Sequence, residues 1–286
     1  MNENDKKTIR NVFAFGLQRP PYGSNTDRSG RVEVNGISLY FEVYGQGHPL
    51  LLLHGNSGSI ESFYKQIYPF SKHFQVIAID SRAQGRSTDG DQDITYRLMA
   101  EDTAQLVRAL GLGRVHVFGW SDGGNIALEM ALHHRDLLEK IVVLSANFIP
   151  GPLAIFEQIL DATQRARYSD LSDEDIRWRT RLSPHPERDP AIFEKMRKLL
   201  LNHPNLSLDQ LRSLQTPALV MAADHDLIQE LHTLKLFNTL PNSQLCVIPG
   251  TSHSALQEKP ELVNQVVLDF LNTPFKPTDR FGYNEW

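Results

Sequence analysis

The sequence predicts an α/β fold: a mostly parallel sheet of eight strands, with helices on both faces and one inserted helical segment. Three observations carry that expectation. Short, almost wholly apolar runs such as "PLLLLHG" (49–55), "FQVIAID" (74–80) and "KIVVLSA" (140–146) suit strands buried on both faces. Helical patterns alternate with these runs along the chain. Residues 148–213 carry no convincing strand pattern and far exceed the usual length of a strand-to-helix connection.

Taken in order, the first thirty residues read as a polar leader, 1–30. Their short apolar patch, Val12 to Leu17, is followed by Pro20 and Pro21, and it lacks the length of a secretory apolar core. From residue 31 the chain becomes regular. "RVEVNGISLYFEVYG" alternates apolar and polar residues around Asn35-Gly36, the dipeptide that best signals a β-hairpin. Strands follow at 49–55 and 74–80, with helical patterns at 60–72 and 95–110, the second stopped by Gly111. "RVHVFG" reads as a strand, 122–134 as a helix, and 140–146 as a strand. These elements form the first part of the core, 31–147.

The inserted segment, 148–213, reads as a helical cap. It contains "LAIFEQILDATQRARY" and "PAIFEKMRKLLLN", parted by the proline-containing loop "SPHPERDP". The second part of the core, 214–273, returns to alternation: "ALVMAA" (218–223) as a strand, a helix near 227–239, "SQLCVIPG" (243–250) as a strand, and a closing helix at 254–271. A short tail, 274–286, remains.

Composition limits the partners. The chain has 286 residues and a net charge of -5, with no run of Lys and Arg, which argues against a nucleic-acid or membrane-surface partner. No stretch reaches the length of a membrane span, and the expected location is the cytoplasm. The single cysteine, Cys246, excludes an internal disulfide and a cysteine-based metal cluster, and its apolar surroundings suggest a buried structural thiol. The eleven histidines show no metal-ligand spacing, so no metal is expected.

Chemistry is signalled by "GWSDGG" (119–124). Gly119-x-Ser121-x-Gly123 fits a nucleophile elbow, a signal that is weak alone but strengthened by the strand before it and the helix after it. A tight turn there strains the backbone and pushes the Ser121 hydroxyl above the sheet. A serine needs a base to take its proton. His253, in "PGTSHSAL", follows the last strand, at the end of the sheet where the serine stands; of the others, His133 and His134 sit on a helix pattern, His185 and His203 lie in cap loops, and His54 shapes a strand-end loop. An acid must then orient the imidazole. "MAADHDLI" offers Asp224 and Asp226, and the one two positions beyond the strand end, Asp226, is the better placed to reach across. Asn147 after "IVVLSA" argues against an acid from that neighbouring strand.

With Ser121, Asp226 and His253 in that order, the sequence resembles the α/β-hydrolase fold family, over roughly residues 31–271. "HGNSGS" (54–59) is similar to its oxyanion loop, "DSRAQGRS" (80–87) to its block after the next strand, and "GWSDGG" to its elbow. Three positions depart from the family pattern: Ala83-Gln84 stand where many relatives have Gly followed by His, and Ala223 where glycine is common. The resemblance implies that backbone N–H groups of Asn56 and Asp122 bind the oxyanion, and that no cofactor is needed.

The resemblance leaves the substrate open. The cap carries ten Lys/Arg and ten Asp/Glu, so a strongly charged substrate is not indicated, and a small-to-medium, largely apolar ester is the default small-molecule substrate. Phe148, Phe156, Trp178 and Phe193 are candidate lining residues, though each also suits packing between cap and core. Similar folds support thioesterase, lactonase, perhydrolase and carbon-carbon bond hydrolase activities. Asp122, directly beside the nucleophile, admits two further roles: a carboxylate at the first turn of a helix, or a contact for a substrate amine, as in amino-acid ester hydrolases. A non-catalytic ligand-binding protein is the reading from another class. The oligomeric state is not legible.

Overall fold

A computed structural model describes residues 21–277 of the chain. Most of the leader expected over 1–30 and most of the tail expected over 274–286 lie outside the described residues. Eight strands form one sheet: β1 (Ser29–Val34), β2 (Ile37–Tyr44), β3 (Pro49–Leu53), β4 (Gln75–Asp80), β5 (Val115–Trp120), β6 (Leu138–Leu144), β7 (Ala218–His225) and β8 (Ser243–Ser252). Their spatial order is β1-β2-β4-β3-β5-β6-β7-β8. Only β2 runs against its neighbours, pairing antiparallel with β1 and β4; the remaining pairs are parallel. The β1–β2 turn places Asn35 at φ 44 and Gly36 at φ 74, the left-handed pair that a two-residue hairpin needs.

Among the described residues ten α-helices accompany the sheet: α1 (Ile67–Ser71), α2 (Tyr96–Ala109), α3 (Asp122–His133), α4 (Glu157–Arg165), α5 (Asp173–Thr180), α6 (Asp189–Asn202), α7 (Leu208–Ser213), α8 (Glu230–Thr239), α9 (Ala255–Glu258) and α10 (Pro260–Asn272). Strand alternation explains the two cores they cover. On β3, Leu51 and Leu53 face one side, with Met99 and Leu106 of α2, Ile126 of α3 and Leu236 of α8. Leu50 and Leu52 face the other, with Ile67 and Phe70 of α1 and Val263, Val267 and Phe270 of α10. All four leucines are fully buried, which is why this strand reads as an unbroken apolar run.

Between β6 and β7 stand α4, α5, α6 and α7. The last of these leans on α3 and α8, and Leu211 joins the core beneath. The segment also makes one short β-bridge that the sequence did not suggest, Ile155 to Ile228. It ties 154–156 to the loop after β7 through Gln229 N to Ala154 O (2.8 Å) and Phe156 N to Leu227 O (3.3 Å), so the helix expected from 227 starts only at Glu230.

Two other helices differ from expectation. The pattern at 60–72 forms a 3-10 turn, Ile60–Phe63, and then the short α1, which contains Pro69. The closing helix over 254–271 is split into α9 and α10, because Lys259 precedes Pro260 and adopts φ -130, ψ 60 instead of helical angles. Cys246 is only partly buried on the outer strand β8. Among the described residues no helix is long and apolar enough to cross a membrane.

Candidate active site

The parallel strands point their C-terminal ends to one edge of the sheet, where open α/β sheets gather functional loops. Ser121 follows the central strand β5 and precedes α3, at φ 55 and ψ -120, a conformation that costs a non-glycine residue roughly 1–3 kcal/mol. Its N–H donates to Leu144 O of β6 at 2.8 Å, which anchors the turn. The turn leaves no room for side chains beside it: a Cβ at Gly119 would lie 2.1 Å from Gly123 O, and one at Gly123 would lie 1.9 Å from Leu53 O. The "G-x-S-x-G" pattern is therefore a packing requirement of this crossing.

The structure brings together the three residues singled out as nucleophile, base and acid. His253, just after β8, places Nε2 3.0 Å from Ser121 Oγ and Nδ1 2.6 Å from Asp226 Oδ1. A ring that donates Nδ1–H to the carboxylate leaves Nε2 to accept the serine proton. Trp120 Nε1 donates to the carbonyl of His253 at 2.9 Å and fixes that loop.

Asp226 is buried and well supplied with donors. Its Oδ2 accepts from Ser145 Oγ (2.5 Å) and Ala223 N (3.1 Å), and its Oδ1 also accepts from Ile228 N (3.2 Å). Burial pushes its carboxyl up, but His253 and these hydrogen bonds outweigh that and hold it below the ordinary value. Asp224 faces elsewhere: it accepts from Gly250 N (2.7 Å) and Thr251 N (3.0 Å), bracing the loop that carries His253.

The 54–59 loop lies across the elbow. His54 is buried; its Nε2 accepts from Ser81 N (3.0 Å), so Nδ1 donates to Gly55 O (2.8 Å). Burial lowers its pKa to about 4, opposed by the Gly55 hydrogen bond, and keeps the ring neutral. Asn56 sits between the elbow and the helices above: its Nδ2 donates to Asp122 Oδ2 at 3.0 Å, and its Oδ1 accepts from Ser57 Oγ at 3.0 Å. Ser57 Oγ in turn accepts from Arg179 Nη1 at 3.3 Å, and Arg179 is held on Asp189 by two bonds of 3.1 and 3.0 Å.

Asp122 opens α3, so its own N–H belongs to the group at a helix start that has no intrahelical acceptor. Its carboxylate is buried and accepts from Tyr96 OH (2.7 Å) as well as from Asn56. Burial raises its pKa to about 6, against the lowering effect of the two donors and of His253. Tyr96 and Ser145 were not singled out by sequence reasoning; one stands at the start of a helix pattern and the other at the end of a strand pattern, and neither position marks its partner.

Two cavities share Ser57 in their walls. One is mostly apolar, lined by Asn56, Thr163, Leu171, Phe193, Met196 and Leu200 among others, and encloses about 530 Å³, part of it open to solvent. The other has a mixed polar and apolar lining that includes Trp178, Arg179 and Gln84. Phe148 instead stacks on His232 at 4.0 Å, a packing role, and Phe156 is partly exposed. Among the described residues, no three His, Cys, Asp or Glu side chains group as a metal site.

Comparison with known proteins agrees with this architecture. A family model described as alpha/beta hydrolase fold matches residues 48–205. The chain is 28% identical over 252 residues to the serine hydrolase BPHL of Homo sapiens, covering 85% of this chain and 86% of that one. It is 30% identical over 268 residues to RutD of Caulobacter sp. (strain K31), which carries a provisional carbamate-hydrolase name, covering 86% of this chain and 98% of that one. Among solved structures, a thermophilic esterase from Thermogutta terrifontis superimposes with a TM-score of 0.63 at 27% identity, covering 89% of this chain and 98% of that one.

Proposed function

The chain belongs to the α/β-hydrolase fold family and is a hydrolase, and from that premise we propose that it cleaves small-to-medium carboxylic esters through an acyl-enzyme intermediate on Ser121. The observation that carries the reading is the continuous hydrogen-bond chain Ser121–His253–Asp226, at 3.0 and 2.6 Å, on a strained turn at the sheet edge.

In the proposed cycle Ser121 Oγ attacks the acyl carbon while His253 Nε2 takes its proton. Asp226 stabilises the imidazolium that forms and stays ionised. Negative charge on the carbonyl oxygen is met by the N–H groups of Asn56 and Asp122, already fixed before reaction, which is the source of most of the rate gain in sites of this type. His253 then protonates the leaving alcohol, and a water repeats the sequence on the acyl-enzyme. The apolar cavity beside Asn56 supports an uncharged hydrocarbon acyl group.

The amino-acid ester reading requires the Asp122 carboxylate to receive a substrate ammonium. That carboxylate is buried and accepts from Tyr96 and Asn56, which favours the ester reading without an amine. A panel of p-nitrophenyl acyl esters of increasing chain length, run beside thioesters, lactones and amino-acid esters, tests the proposal. The expected result is the highest kcat/KM on short and medium acyl esters, with a burst of p-nitrophenol. No ester turnover, or a clear preference for another class, overturns it.

A further inference from the structure

Gln84 is one of the two positions at which the "DSRAQGRS" block departs from its family pattern, and the backbone there is rigidly held. Ala83 is at φ 63, Ala83 N donates to Thr88 O (3.0 Å), Gln84 N to Ser81 O (3.0 Å), and Ser87 N to Gln84 O (3.1 Å). The side chain is 6% exposed, and neither its Oε1 nor its Nε2 has a hydrogen-bond partner. A buried amide left unpaired forfeits its hydrogen bonds to water with no replacement, and native proteins seldom keep such a group without a use.

Gln84 belongs to the wall of the mixed cavity, together with Ser59, Ser62, Arg179, Asp189 and Met196. The charges on that wall cancel. Arg179 is held by both oxygens of Asp189, and Arg181 is paired with Glu61; these are the four charged residues of the lining. With its cations and anions already matched, the cavity offers no free charge to a carboxylate or an ammonium ion. What it lacks is a partner for one donor and one acceptor. Met196 and Arg179 also line the apolar cavity, so the two spaces are neighbours on either side of Ser57.

We propose that this cavity is a subsite for a neutral amide-like group on the substrate, a carboxamide or carbamate remote from the scissile ester, recognised by the Gln84 side-chain amide. Such a group supplies both a donor and an acceptor and needs no counter-ion. The proposal rests on the reading of Ser121 as the site of ester attack; Gly55, two positions before the Ser57 that both cavities share, lies against Ser121.

The experiment uses full-length Ser121→Ala protein, which binds esters without turning them over, and calorimetric titration with two pairs of esters. One pair carries a primary carboxamide or an isopropyl group at the end of the acyl chain; the other carries the same groups on the alcohol. In one of the two pairs the carboxamide ester is expected to bind about tenfold more tightly than its isopropyl analogue. Adding Gln84→Met is expected to abolish that preference while leaving the isopropyl affinity intact. Equal affinities in both pairs, no binding, or a preference that survives Gln84→Met overturns the proposal. A Gln84→Met protein that only changes in thermal stability, with the preference unaltered, assigns Gln84 a packing role and does the same. Should Gln84→Met fail to fold, Gln84→Leu replaces it with the same expectations. Because no turnover is read, a failure of this subsite is distinguishable from a failure of Ser121 as nucleophile.

Discussion

Asp224 and Asp226 stand two positions apart and have unlike surroundings. In the proposed mechanism Asp226→Asn removes the charge that stabilises the imidazolium, and kcat is expected to fall by about three to four orders of magnitude. Asp224→Asn loosens the end of β8 at Gly250 and Thr251 and is expected to lower the unfolding temperature while costing less than about tenfold in kcat. Equal losses in the two variants would refute the division of roles. Asp122 yields a second prediction: Asp122→Ala frees Asn56, so kcat is expected to drop about tenfold on amino-acid esters and on their des-amino analogues alike. A loss confined to the amino-acid esters would restore the amine contact. The sequence placed Ser121, Asp226 and His253 by their positions after strands, which is information that runs along the chain. It was silent on Tyr96, which bonds Asp122 across 26 residues, because nothing local to a helix start says what its hydroxyl will meet.

At the scale of elements, the elbow holds the two described glycines that leave a side chain the least room. Gly123→Ala would press a methyl group into Leu53 O, and the expected destabilisation exceeds about 4 kcal/mol; denaturant unfolding of the purified variant measures it, and a mild effect would mean that the crossing is looser than described. Strands were legible because burial on both faces writes them as unbroken apolar runs, as in Leu50 to Leu53. Helix ends were less so. Lys259 leaves helical angles because of the proline after it, and the loop at 227–229 is drawn into a bridge with 154–156, a contact between distant segments that no periodicity announces. The inserted segment was legible by its length and helical pattern, yet its hold on the 54–59 loop, through Arg179 and Ser57, was not.

Across the whole molecule, buried carboxyls tie stability to pH. Burial raises Asp80 from an ordinary 3.8 to about 7, with Glu42 and Glu61 adding to the rise and the N–H groups of Arg86 and Ile60 opposing it. Between those values the folded protein keeps a proton that the unfolded chain gives up. The stability this group contributes is thus fully present below about 3.8 and is lost as the pH rises through about 7. Thermal unfolding of wild type and Asp80→Asn across that window is expected to show the wild type losing ground to the variant as pH rises; a constant difference would contradict it. In the proposed mechanism the sheet edge presents Ser121 as an activated nucleophile, and incubation with a fluorophosphonate followed by intact-mass and peptide analysis reads this out. One adduct per chain is expected, on Ser121, absent in Ser121→Ala and strongly slowed in His253→Ala; folded wild-type protein that takes up no label, or takes it up at another residue, would refute the activation of Ser121.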